Sequence, residues 1–141
     1  MCLIVDANLC SVIFKKTIDK QYQDLRETVF ANRITLIHGG KLTAEYFKAG
    51  VLPVIALLSQ SGRAIKVKDE LIDAELKKIA GRCLSNDEHV IALARADRKN
   101  AHLLCSSDKA LCDDFKNKAL IDLPRGKIYS HSRHKQSLAN C

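Results

Sequence analysis

The chain has 141 residues, 47% of them hydrophobic and 28% charged, which is enough for one packed core and too apolar for a disordered segment. No run of about 18 apolar residues exists to cross a membrane, and the first residues lack the basic n-region of a signal peptide, so a cytoplasmic protein is expected. The formal net charge of +7 favours anionic partners, nucleic acid first.

The elements alternate along the chain. Leu3-Ile4-Val5 is a short strand-type run, followed by helical periodicity over residues 8–16 and again over 19–31. Ile34-Thr35-Leu36-Ile37 predicts a second strand, which stops at Gly39-Gly40. Helices follow over 41–48, which Gly50 ends, and over 51–61, with Pro53 in the first turn. Residues 64–68 alternate like a strand, 69–80 like a helix, and 86–99 give the clearest helix of the chain. A strand over 101–105 and a short helix over 108–115 come next. Ala119-Leu120-Ile121 and Lys127-Ile128-Tyr129 are two candidates for the last strand. Residues 1–129 form one domain on this pattern, and 130–141 a basic, polar, loosely ordered tail. Strand–helix alternation predicts a single α/β/α sandwich with a mostly parallel central sheet.

In open sheets of this kind ligands gather at the carboxyl ends of the strands. Asp6 directly follows the first strand, and Asp108 lies just past the strand over 101–105. Asp87 opens the long helix, and Glu45 sits in the helix after the second strand. Two carboxylates about 5 Å apart repel by roughly 3 kcal/mol at an effective dielectric near ~20, so such a group calls for a cation. All-oxygen ligands favour Mg²⁺ or Mn²⁺ over zinc, and such an ion makes a bound water attack phosphorus. Asp113, farther along the helix after Asp108, is a further candidate ligand.

Ordinary helix starts explain part of this pattern. Ser85-Asn86-Asp87-Glu88 fits a capping box with Ser85 as N-cap, and Ser106-Ser107-Asp108 is also a plausible helix start. Asp6 has no such explanation, because a lone buried carboxylate is costly. Asp114 and the acids over 69–75 read as solvated helix faces. Six cysteines form no C-x-x-C pair and no common zinc spacing, so reduced thiols are expected. The five histidines show no paired metal spacing on a helix. The lysines nearest the acidic motifs, Lys15, Lys16, Lys41 and Lys109, are the candidates for holding a polyanionic substrate, with Asn8 beside Asp6.

Leu3-Ile4-Val5-Asp6-Ala7-Asn8, Asn86-Asp87-Glu88-His89-Val90-Ile91-Ala92-Leu93-Ala94 and Leu103-Leu104-Cys105-Ser106-Ser107-Asp108-Lys109 with Asp113-Asp114-Phe115 together resemble three motifs of the PIN-domain nucleases. The resemblance spans residues 1–129 in order and spacing, and is closest to short bacterial stand-alone members. It implies a PIN-like fold and a Mg²⁺- or Mn²⁺-dependent phosphodiesterase, usually an endoribonuclease, in many members a toxin of a toxin–antitoxin pair. It also implies that Asp6, Asp87 and Asp108 are catalytic and metal-binding, with Glu45 as the family's second acidic position and Asn8 orienting either Asp6 or a metal-bound water. The implied partners are RNA, an antitoxin or other regulatory protein, and a second copy of the chain, with no membrane. A DNA-directed nuclease of the same fold and a non-catalytic nucleic-acid-binding module remain the alternatives.

Overall fold

A computed structural model describes residues 3–14, 20–31, 33–122, 124–130, 134 and 138. The elements run β1 (Leu3–Val5), α1 (Ala7–Ile13), α2 (Lys20–Phe30), β2 (Leu36–His38), α3 (Gly40–Lys48) and α4 (Leu52–Gln60), then β3 (Ala64–Lys66), α5 (Asp69–Ile79), α6 (Glu88–Ala96), β4 (Leu103–Cys105), α7 (Lys109–Lys116) and β5 (Lys127–Tyr129). The five strands form one sheet in the order β3-β2-β1-β4-β5, and every pairing is parallel. The architecture is the α/β/α sandwich that strand–helix alternation predicts.

The apolar runs dictate the sheet. Leu3, Ile4, Val5, Leu36, Ile37, Leu103, Leu104 and Cys105 are all fully or almost fully buried, as expected for strands covered on both faces. Lysines appear on the edge strands, where β3 carries Lys66 and β5 carries Lys127, while the inner strand β2 ends on the buried His38. The register pairs Leu3 with Leu36 on one side and Leu3, Ile4 and Val5 with Leu103, Leu104 and Cys105 on the other. The chain winds from β1 outward through β2 to β3, then returns to the far side of β1 with β4. The order therefore reverses between β1 and β4, which opens a crevice beyond their carboxyl ends.

Two expectations need correction. Residues 119–121 are a turn, not a strand. The Asn117 carbonyl accepts from the Leu120 and Ile121 amides, and Asn117 Oδ1 accepts from Ala119 N. The carbonyls of Ala119 and Leu120 accept from Arg82 and Arg95, so this backbone is committed before any strand could use it. The second strand begins at Leu36 rather than Ile34 and runs into His38, because the sheet partner on that side is Ala64–Lys66. Most of residues 130–141 lies outside the described residues; of those described, Leu138 is buried, and the His134 ring accepts from the Ser130 amide and meets Tyr129 edge-on.

One close approach sets the entry to β5. A Cβ at Gly126 would fall 2.6 Å from Phe115 Cδ1 and closer still to the Phe115 carbonyl oxygen. Backbone cannot yield as a side-chain tip can, so Gly126→Ala is expected to lower unfolding stability by about 1–3 kcal/mol in chemical denaturation. Wild-type stability in that variant would mean the last turn of α7 shifts freely.

Candidate functional site

The centre of the site is the crevice between β1 and β4. Asp6 follows β1 and is only 5% exposed. Its amide donates to the Cys105 carbonyl at 2.9 Å, extending the parallel ladder past the last strand residue. Its carboxylate Oδ2 accepts from Ser106 Oγ at 2.8 Å. Ser106 is the first residue after β4, is buried, and its Oγ also accepts from the Asp108 amide at 3.1 Å. One hydroxyl thus ties Asp6 to the segment that carries Asp108.

The electrostatics match this enclosure. Burial raises the Asp6 carboxyl above its ordinary range. The Ser106 hydroxyl and the Asn8 amide pull it back, and the charges of Asp87 and Asp108 push it up again. Beside it, burial pushes the Cys10 thiol up to about 12, with the Asp6 charge adding to the effect. The Cys105 thiol is raised further for the same two reasons.

Asp6, Asp87 and Asp108 all stand at helix N-cap positions, of α1, α6 and α7. Only Asp108 caps with its side chain, accepting from Leu111 N at 3.2 Å. Asp87 makes no capping bond, so its carboxylate is not consumed by its own helix. The capping box read from Ser85 does not form: α6 begins after Asp87, and Ser85 Oγ accepts from the Asp87 amide at 3.2 Å instead.

What holds Asp87 is Asp114, expected on a solvated face and found 1% exposed. Its Oδ1 accepts from Leu84 N and its Oδ2 from Ser85 N, each at 2.9 Å. The turn of α7 that buries Asp114 leaves Asp113 exposed. Asp113 is not in the lining of the cleft that Asp6, Glu45 and Asp87 share, nor in the group of Glu45, Asp87 and His89.

Glu45 reaches the site from α3. The neighbouring Tyr46 is fully buried and its hydroxyl donates to the Val5 carbonyl, one residue before Asp6. At the start of the same helix, Thr43 Oγ1 lies 2.8 Å from His38 Nδ1, at the end of β2. These two contacts fix α3 against the strand ends. Asp6, Glu45 and Asp87 line a cleft of about 400 Å³ together with Asn8, Ser11 and Lys48. Ligand atoms of Glu45, Asp87 and His89 all lie within 4.8 Å of one another.

His89, Lys48, Ser11 and Ser106 are additions that sequence reasoning missed. His89 is 6% exposed, and its Nε2 lies 3.3 Å from Glu45 Oε1. Its direction fails as a hydrogen bond, so that buried nitrogen has no hydrogen-bond partner in the described residues. Of the expected cations, Lys41 and Lys109 are exposed but lie outside the lining of this cleft, and Lys15 and Lys16 fall outside the described residues. Arg95 is committed elsewhere, to Glu75 at 2.8 Å and to the Leu120 carbonyl.

The donor set suits a divalent cation. It holds several carboxylates in one cleft, one of them raised first by burial and further by its acidic neighbours, and a buried imidazole nitrogen with no hydrogen-bond partner among the described residues. No protein-family model matches the chain, and no curated protein or solved structure does either.

The Asp114 clamp has a measurable weight. Asn at position 114 keeps one acceptor and turns an NH₂ group toward the other amide. Asp114→Asn is expected to cost about 1–3 kcal/mol in unfolding free energy. Ser85→Ala, which removes only one partly buried bond, should cost less. Equal losses in urea titrations of the two variants would show that the clamp adds nothing beyond an ordinary hydrogen bond.

Proposed function

We propose that this chain is a divalent-metal-dependent nuclease of the PIN type, acting on RNA. The observation that carries the proposal is the gathering of Asp6, Glu45 and Asp87 in one cleft at the switch point of the sheet, with Asp108 tied to Asp6 through Ser106. The three acids come from three separate parts of the chain, which a surface cluster of neighbouring residues would not need. The same positions carry the resemblance to PIN-domain nucleases, and the net charge of +7 suits a polyanionic substrate.

Each residue has a part in this reading. Asp6, Glu45, Asp87 and Asp108 would hold the cation. When bound, such an ion supplies Lewis acidity toward a phosphodiester and a more acidic water. Ser106 orients the Asp6 carboxylate and leaves its other oxygen for the cleft. Asp114 and Ser85 fix the backbone at Asp87, and Tyr46 fixes α3 and hence Glu45. Lys48 brings a positive side chain to the cleft lining, the one such among the described residues, where it can meet a phosphate oxygen.

Labelled RNA and DNA, incubated with Mn²⁺ or Mg²⁺ and with chelator, test the proposal directly. Metal-dependent cleavage of RNA is expected, and its absence with both ions would overturn the proposal. Cleavage of DNA alone would move the substrate class. Asp6→Asn should lower cleavage by roughly 100-fold or more, since lesser changes around metal ligands already cost about 10–100-fold.

The same variant should keep or raise the thermal midpoint in chelator near neutral pH. The raised Asp6 carboxyl means that folding disfavours its ionised form, so that charge weakens the folded state while the group is ionised. The advantage of Asn should shrink as pH falls through the raised value toward the ordinary carboxylate range, because wild-type Asp6 is then protonated too. A midpoint that falls at neutral pH would make Asp6 a structural residue first.

A further inference from the structure

We propose that Glu45, Asp87 and His89 form a mixed carboxylate–imidazole site that selects a first-row transition-metal ion over Mg²⁺. The proposal rests on the reading of this cleft as a metal site and adds a nitrogen ligand to it. Its support is separate from the acidic cluster. A core histidine normally satisfies both ring nitrogens, because an unpaired buried polar group is costly. His89 Nε2 is buried, lacks a hydrogen-bond partner in the described residues, and faces the Glu45 carboxylate at 3.3 Å.

That separation has a simple geometric meaning. Two ligands on one ion, each about 2.0–2.2 Å away, lie roughly 2.8–3.6 Å apart at octahedral to tetrahedral angles. The His89–Glu45 distance of 3.3 Å falls in that range, whereas its direction fails as a hydrogen bond. Asp87 completes the group within 4.8 Å. Its position in the helix start explains why its carboxylate is available: the backbone at φ −100° and ψ 45° is not helical, and no capping bond engages the side chain.

The donor set decides the ion class. Mg²⁺ takes oxygen ligands and keeps much of its water, while imidazole binds Mn²⁺, Co²⁺ and Zn²⁺ increasingly well. A third ligand of imidazole type therefore shifts the site away from Mg²⁺. It does so without help from Asp6 and Asp108, whose carboxylates lie outside this group of three.

The test reads ligation as well as activity. The purified full chain is stripped with chelator, loaded with less than one equivalent of Mn²⁺, and examined by pulsed electron paramagnetic resonance. Wild type should show ¹⁴N coupling from a bound imidazole. His89→Gln, which keeps most of the volume, should lose that coupling, and His102→Gln should keep it. Calorimetric titration should show Co²⁺ affinity falling roughly tenfold or more in His89→Gln, with Mg²⁺ affinity nearly unchanged.

A wild-type spectrum without ¹⁴N coupling overturns the proposal even if the variant fails to fold, and so does a coupling that survives in folded His89→Gln. The nuclease reading fails differently. Nitrogen ligation with no cleavage of RNA or DNA would leave this site standing and remove that function, whereas metal-dependent cleavage without nitrogen ligation would do the reverse.

Discussion

Everything in this site depends on keeping a carboxylate buried between two parallel strands. Asp6 sits where β1 ends and the strand order reverses, almost out of reach of water. The cost of ionising it there is offset from three directions: the Ser106 hydroxyl, the Asn8 amide, and the N-terminal end of α1, which carries partial positive charge. Two further helices, α6 and α7, begin with an aspartate at the same edge. Their carboxylates undo part of that relief by raising Asp6 again. The acidic site is thus held under mutual repulsion, and that repulsion is what a cation would remove.

The surrounding residues resist the repulsion mechanically. Asp114 is a charged side chain spent wholly on backbone amides, and it pins the loop before Asp87 from the side of α7. Tyr46 does the same for α3 from the side of β1. Both contacts join elements far apart in the chain. Moving one of these elements away from the others would break a buried hydrogen bond, so the backbone that carries Glu45 and Asp87 is held in place.

Much of the fold was legible because both of its central signals are local. Leu3-Ile4-Val5 and Leu103-Leu104-Cys105 are continuous apolar runs that only a sheet covered on both faces can bury. Asp6 was legible for a related reason: a carboxylate after such a run has no local explanation. Asp114 was not, since its partners lie 29 and 30 residues away and helix periodicity alone does not place it inward. His89 was hidden by its spacing. Asp87 and His89 are two residues apart, which on a regular helix points side chains apart. Asp87 lies at the N-cap, outside helical dihedrals, so the rule does not hold there. Residues 119–121 failed as a strand because side chains of Arg82 and Arg95 claim their carbonyls, a competition no apolar pattern reveals.

The thiols beside Asp6 give this arrangement a built-in reporter. Cys10 and Cys105 are fully buried and carry raised thiols, so almost none of either is thiolate at neutral pH. Alkylating reagents and mild oxidants act on the thiolate, and both residues are silent to them while the packing around the strand ends stays closed. Modification of Cys10 requires α1, on which it lies, to lift from the core, and modification of Cys105 requires the end of β4 to be uncovered. The two rates measure how often the helix and the strand end open, which slow amide exchange in the same segments would report independently.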